Sequence, residues 1–318
     1  MIKVVCLGGG NAMPKAVLEG LKQYPGIKIS AISAMLDSGG TAGKERELFK
    51  TGVSFGDIRR AALALSEAPQ EKKELFSLRF NNGITLANSY CTNSSLSIGV
   101  KELPEELKID LAIPEDRQVL PATINNATLC AVLENGEIIK GETNIDIPKH
   151  DANLKIKKVF LEPEVKAYDP ALQAIKEANL VVIGPGDLYS SLSQILLTKG
   201  MPEAIRKSKA RKIYVCNLMN KRGETDNFSV LDFTFEIERW LGAEADYVIY
   251  NNQKPTPQRL TAFKKKHPEL TGLVKFYDIL DKDKFIGANL LPEKGEISHN
   301  PQKLVKIILN QCLAPCRR

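Results

Sequence analysis

The chain has 318 residues, of which 43% are hydrophobic and 26% charged. This is ordinary globular composition at a length that can bury a large α/β core. No apolar stretch approaches the roughly 20 residues a membrane-spanning helix needs, and Met1–Leu7 runs straight into glycines instead of a leader's apolar core, so a cytoplasmic protein with no membrane partner is expected. The net charge of +6 leans basic, but Lys264–Lys266 and Arg317–Arg318 are short and carry no interleaved aromatics, which argues against nucleic acid as a partner.

In chain order, an apolar strand (Ile2 to Leu7) meets the turn Gly8-Gly9-Gly10-Asn11-Ala12-Met13-Pro14 and then a helix with Ala16, Val17, Leu18 and Leu21 on its apolar side. A second strand, Ile27 to Leu36, ends at the polar loop Asp37 to Gly43. Helices are expected from Gly56 to about Glu67 and from Glu71 to Phe80. From about 117 to 162 the pattern turns antiparallel: Val119 to Thr123, Ala127 to Glu134, an Asn135-Gly136 hairpin turn, Glu137 to Ile145, and the strand Lys157 to Leu161. From Pro170 helix and strand alternate again: helix Pro170 to Ala178, strand Leu180 to Ile183, helix Leu188 to Leu197, strand Ile213 to Asn217, helix Val230 to Leu241, strand Tyr247 to Tyr250. The reading is one α/β domain over 1–318, Rossmann-like, with a mostly parallel sheet, helices on both faces and an antiparallel β insertion.

Four glycine-bearing or polar loops follow apolar strands: Gly8 to Met13, Asp37 to Gly43, Gly184 to Ser191, and Asn217 to Asp226. In an open parallel sheet such loops share the carboxyl edge, where helix N-termini offer unpaired N–H groups to phosphate. In Gly184-Pro185-Gly186-Asp187-Leu188-Tyr189-Ser190-Ser191, Gly186 is where a branched side chain would block a phosphate; the glycines could equally serve a tight turn and the serines cap a helix. A dinucleotide fingerprint fits poorly, because Met13 stands where a third glycine is needed, and no loop carries the Lys-Ser/Thr ending of a P-loop. The histidines, His150, His267 and His299, lie outside the loops and are read as surface residues, which leaves zinc and a His-based triad without support. Asp37, Asp57, Asp187, Glu224 and Asp226 could hold Mg²⁺ against a diphosphate, Asp37 first and Asp226 second, although Asp57 also suits a helix N-terminus and Glu224 or Asp226 a cap. The six cysteines, Cys6, Cys91, Cys130, Cys216, Cys312 and Cys316, form no Cys-x-x-Cys pair and are read as reduced and structural.

Gly8-Gly9-Gly10, Asp37-Ser38-Gly39-Gly40-Thr41-Ala42-Gly43, Gly56-Asp57-Ile58-Arg59, Val119 to Thr123, Ile183 to Ser191, Val215 to Met219 and Gly223-Glu224-Thr225-Asp226 occur in one order along the chain. In this the sequence resembles the YvcK group of gluconeogenesis factors within the CofD-like superfamily. The resemblance implies a Rossmann-like fold and either of two chemistries. One is binding of a UDP-sugar type nucleotide, linked to gluconeogenic growth and cell shape. The other is Mg²⁺-assisted transfer of 2-phospho-L-lactate from a guanylyl diphosphate donor to a deazaflavin alcohol.

Carried over by motif, Gly8 to Asn11, Gly39, Gly40, Asn88, and Gly184, Pro185, Gly186, Asp187, Tyr189, Ser190 and Ser191 would contact nucleotide and phosphate. Asn217 would lie at the rim, and Arg259 would be a phosphate partner. Asp37 is the best catalytic candidate, and Asp37 with Asp226 would hold the metal. The chain departs from the pattern at Asn11-Ala12, at Ser38, at Gly83 to Asn88, where Ile84 replaces a histidine, and at Gln194-Ile195. The loss of a carboxylate and a histidine favours binding or regulation over catalysis, which depends on charge placed at the transition state. A homo-oligomer is compatible with the family, but no surface for it is marked in the sequence.

Overall fold

A computed structural model describes residues 1–313. Cys316, Arg317 and Arg318 lie outside the described residues, as does the Cys312 side chain. Strand β1 (Ile2–Gly8) leads into α1, which opens with a π turn (Pro14–Leu18) and continues through Glu19–Leu21, and then into β2 (Ile27–Ser33). Helices α2 (Gly40–Phe49), α3 (Gly56–Leu65), α4 (Gln70–Ser77), α5 (Leu86–Ile98) and α6 (Leu103–Asp110) follow. Next come β3 (Arg117–Pro121), β4 (Thr128–Leu133), β5 (Ile138–Lys140), α7 (Glu142–Asp146) and β6 (Ile156–Glu162). The second half begins with α8 (Asp169–Glu177) and β7 (Leu180–Ile183). It continues with α9, a π turn over Leu188–Leu192 extended by Ser193–Leu196, then α10 (Met201–Lys207), β8 (Arg211–Val215) and β9 (Met219–Lys221). It closes with α11 (Val230–Leu241), β10 (Tyr247–Asn251), α12 (Pro257–Lys266), β11 (Leu270–Leu273), β12 (Phe285–Ala288) and α13 (Pro301–Leu313).

The main sheet has seven strands in the order β12-β10-β8-β7-β1-β2-β3, every neighbouring pair parallel. This is the Rossmann-like α/β architecture expected from the alternation. Both faces are covered, as a parallel sheet requires. Val4 and Cys6 point into a core built with α1, α3 and α13, whereas Val5 and Leu7 point into a core built with α8, α9 and α11. Local chemistry sets the helix ends: α11 starts on a reciprocal cap between Ser229 and Asp232 and stops at Gly242 in the left-handed region.

The structure departs from the sequence pattern in four places. Val119 to Thr123 is not antiparallel; β3 pairs in parallel with β2 at the sheet edge, so the antiparallel insertion is β5-β4-β6, and a separate antiparallel pair joins β9 and β11. Glu137 to Ile145 is not one strand, because Gly141 (φ +93°) breaks it and α7 follows. The second strand stops at Ser33, and α2 begins within the loop expected over Asp37 to Gly43. Finally, α5 was hidden by a run of Asn, Ser and Thr, which compete with the helical backbone. It is held by a Thr85 cap that accepts the Asn88 N–H and by burial of Ala87 and Cys91. Among the described residues no helix is long and apolar enough to cross a membrane. Cys6, Cys91, Cys130 and Cys216 are free and buried, and burial pushes the Cys91 and Cys216 thiols up to about 12.

Candidate ligand-binding cleft

Strands β1 and β7 are neighbours, but the chain leaves β1 toward β2 and β7 toward β8. Such a reversal of strand order opens a crevice beyond the carboxyl ends. The Gly8 turn lines it. A Cβ on Gly9 would lie 2.0 Å from Asp57 Oδ2 and 2.6 Å from Ser191 Oγ, so only glycine fits between them. Gly10 has φ +63° with open space where a side chain would project, and its N–H donates to Asp57 Oδ1 at 2.9 Å. Asp57, at the start of α3, also pairs with Arg60. The result is a cleft of about 520 Å³ whose walls include Gly10, Asn11, Asp37, Gly40, Asp187 and Ser191. It adjoins a hollow of about 610 Å³ that shares Gly10, Asn11, Asp146 and Asp187.

The Gly184 to Ser191 arm is built differently from its sequence expectation. Gly184 sits at φ +73°. Gly186 is locked from both sides, its N–H donating to Asn217 Oδ1 at 3.1 Å and its carbonyl accepting from Asn217 Nδ2 at 2.8 Å. A Cβ on Gly186 would meet Leu192 at 3.4 Å and lie 3.8 Å from the Gly9 carbonyl, ordinary contact distances, while Gly186 itself lines the larger hollow. The helix-start N–H groups that the sequence offers to phosphate are already taken. Tyr189 N and Ser190 N donate to Glu224 Oε2 at 3.2 and 3.3 Å, and Ser190 Oγ to Glu224 Oε1 at 3.0 Å. The protein supplies its own anion there.

That carboxylate belongs to an ion cluster. Lys221 Nζ lies 3.2 Å from Glu224 Oε1 and 3.0 Å from Asp187 Oδ2, and it also pairs with Asp146. Burial opposes the Lys221 charge, but Glu224, Asp187 and Asp146 outweigh it and hold the ammonium well above its usual range. Glu224 is pushed up to about 7, burial outweighing the nearby ammonium. The carboxylates are close enough together to grip a metal, yet the Lys221 ammonium already stands among them and offsets one of their three charges.

On the opposite wall Asp37 Oδ1 accepts the Gly39 N–H at 2.6 Å, and Glu142 Oε2 accepts the Ser38 N–H at 3.3 Å. Ser38 Oγ meets Thr143 Oγ1 at 3.1 Å, so the departure at Ser38 binds this loop to α7. Burial, followed by the charge of Asp37 and a hydrogen bond to it, pushes the Glu142 carboxyl up to about 10. Gln194 ties two loops together, Oε1 accepting from Leu36 N at 2.9 Å and Nε2 donating to the Ser190 carbonyl at 2.5 Å. Asn88 and Arg59 complete the floor.

The structure therefore gathers Gly9, Gly10, Asn11, Asp37, Gly39, Gly40, Asn88, Gly186, Asp187, Ser190 and Ser191 around the two hollows. Gly8, Gly184, Pro185 and Asn217 line neither hollow; Asn217 clamps the Gly186 backbone and faces a separate pocket beside Tyr250. Three further assigned residues lie elsewhere. The Tyr189 ring is core, packed edge-on against Phe228 and Trp240. Asp226 Oδ2 accepts the Gly223 N–H at 2.6 Å and serves a turn. Arg259 spends its guanidinium on the carbonyls of Pro292, Gly295 and Glu296 at 2.8 to 2.9 Å. His299 is not a surface residue: it is buried with Nε2 3.2 Å from the Cys216 carbonyl, and burial pushes it down to about 4. Sequence reasoning missed Glu142 and Asp146, which sit in or just past a segment that reads as strand, and passed over Lys221, which stands inside the expected Asn217 to Asp226 loop. It also passed over Arg59, whose motif was visible but whose burial was not.

Comparison with known proteins agrees with this architecture. The family profile described as 2-phospho-L-lactate transferase CofD matches residues 4–276. The gluconeogenesis factor of Listeria innocua is 39% identical over 319 residues, covering 96% of this chain and 94% of that protein. The gluconeogenesis factor of Listeria monocytogenes is 34% identical over 319 residues with the same coverage. A crystal structure of a UPF0052 family protein from Bacillus halodurans superposes with a TM-score of 0.86 at 31% identity, over 97% of this chain and all of that one. With a profile match over most of its length and relatives aligned nearly end to end, the chain belongs to the gluconeogenesis factor family of CofD-like proteins.

Proposed function

We propose that the cleft binds a nucleotide sugar of the UDP-sugar type, and that through it the protein regulates carbon metabolism or cell-envelope synthesis and cell shape. The observation that carries this reading is the convergence of the Gly8, Asp37 and Gly184 loops on one crevice at the strand-order reversal, the position where parallel sheets take nucleotides. The names of the Listeria relatives support the link to carbon metabolism. An acidic wall at Asp37, Asp146 and Asp187 beside a basic one at Arg60 and Arg79 suits a ligand with phosphate at one end and hydroxyls at the other.

The CofD profile supports a second reading, transfer of a phosphorus-containing group with Mg²⁺. Asp37 would hold a hard cation, with Glu142 beside it once its proton is displaced, whereas Asp226 is engaged in its turn and an ammonium already stands among Asp146, Asp187 and Glu224. Bound there, Mg²⁺ would neutralise diphosphate charge. Thermal shifts with UDP- and GDP-linked ligands, with and without Mg²⁺, separate the two. A uridine-sugar shift independent of Mg²⁺ and without turnover supports the regulator, and a Mg²⁺-dependent guanosine shift with release of GMP from a phospholactyl donor supports the transferase. No shift with either class refutes both.

A further inference from the structure

Arg59 is 7% exposed, yet its Nε has no hydrogen-bond partner, and among the described residues it forms no ion pair. Neither nearby carboxylate hydrogen-bonds it: Asp57 accepts from Gly10 N and pairs with Arg60, and Glu45 accepts from Ser89 Oγ at 3.0 Å through one oxygen and leaves the other, buried, without a partner. Arg60 and Arg79 stand on the same cleft wall and add positive charge beside it. A buried guanidinium without a counter-ion costs free energy, which a bound anion recovers. Asn88, 3% exposed and on the same floor, leaves Oδ1 without a donor. The folded chain therefore holds an unused cationic donor and an unused acceptor in one cleft.

We propose that Arg59 is the phosphoryl anchor of the cleft and that Asn88 Oδ1 accepts a hydroxyl from the same ligand, so that the site selects phosphate esters of polyols. This rests on the nucleotide-sugar reading above and assigns its phosphate to the α3 and α5 wall, not to the helix start after Gly186, where Glu224 already serves as the anion. Guanidinium donors match phosphate oxygens in pairs, which a lysine does not reproduce.

The test is calorimetric titration of wild type, Arg59→Met and Asn88→Ala with inorganic phosphate, pyrophosphate, UDP and UDP-glucose, alongside melting curves without ligand. Arg59→Met is expected to lose at least about tenfold in affinity for pyrophosphate, UDP and UDP-glucose alike, while its ligand-free melting temperature stays level or rises because an unpaired buried charge is gone. Asn88→Ala is expected to weaken UDP-glucose severalfold and leave pyrophosphate unchanged. Inorganic phosphate binding as tightly as UDP would show that a free phosphate, not a nucleotide, is the source of the group, and would overturn the polyol-ester assignment. Wild type binding UDP-glucose while Arg59→Met binds it equally, or a lower ligand-free melting temperature with unchanged affinity, overturns the anchor but leaves the cleft as a nucleotide site. Wild type binding none of the four probes overturns both. If Arg59→Met does not fold, Arg59→Lys is read instead, and wild-type affinity in that variant overturns the proposal.

Discussion

Replacing Lys221 by Met keeps the apolar stem and removes the ammonium. Three carboxylate oxygens, from Asp146, Asp187 and Glu224, then remain within 4.8 Å of one another without a cation. Removing one partner of a buried ion cluster costs about 3–5 kcal/mol, and because only Glu224 stays fully desolvated while Asp146 and Asp187 keep 29% and 45% of their side chains in solvent, the lower end, about 3 kcal/mol, is expected here. With an unfolding entropy of about 2.1 cal/mol/K per residue, or roughly 0.7 kcal/mol/K for a chain of this length, the melting temperature should fall by about 4–5 °C. The loss should also depend on pH. Glu224 already titrates at about 7 in the folded protein, and losing the ammonium pushes it higher still. A carboxyl whose folded pKa exceeds its unfolded value stabilises the native state while protonated and loses that contribution as pH rises through the folded pKa. The deficit of Lys221→Met should therefore be larger at about pH 8 than at about pH 5.5. Circular-dichroism melts at the two pH values check it. A melting temperature within about 1 °C of wild type at the higher pH, or an equal deficit at both, would refute the reasoning.

Glu142→Gln should be more stable than wild type by an amount that grows from about pH 6 to about pH 9, since the wild-type carboxyl, pushed up by burial and Asp37, must hold a proton that the unfolded chain has released. Urea denaturation at the two pH values reads the difference. His299, held down at about 4, stabilises the fold above its unfolded pKa and loses that contribution as pH falls, so acidification from about pH 7 to about pH 4 should cost wild type roughly 3 kcal/mol more than His299→Gln, read by denaturant unfolding. Gly9→Ala forces a Cβ against Asp57 and Ser191 and should cost about 1–3 kcal/mol in stability, whereas Gly186→Ala, facing Leu192 at ordinary contact distance, should cost less than about 1 kcal/mol. Thermal melts rank the pair, and the reverse order would mean that the two arms are exchanged.

Strand–glycine–helix punctuation made the parallel core and its carboxyl-edge loops legible, because hydrophobic runs and glycines report local backbone needs directly. Partnering was not legible. Glu224 looked like a cap for the next helix and proved to fill the start of α9, and Tyr189 looked like a loop residue and proved to be core. Glu142 was hidden because Gly141 breaks a run that otherwise alternates like a strand. Arg59 stood in a visible motif, but its lack of a hydrogen-bonded counter-ion is a property of burial and of how Asp57 is spent on Gly10 and Arg60, which no spacing records.

Helix α7 hangs between β5 and β6 of the small antiparallel sheet, yet it carries Glu142, Thr143 and Asp146 into the crevice. Any molecule gripped between Gly10 and Glu142 thus staples the small sheet to the large one. Occupancy would register far from the crevice itself, as slower amide exchange along β4 and β6.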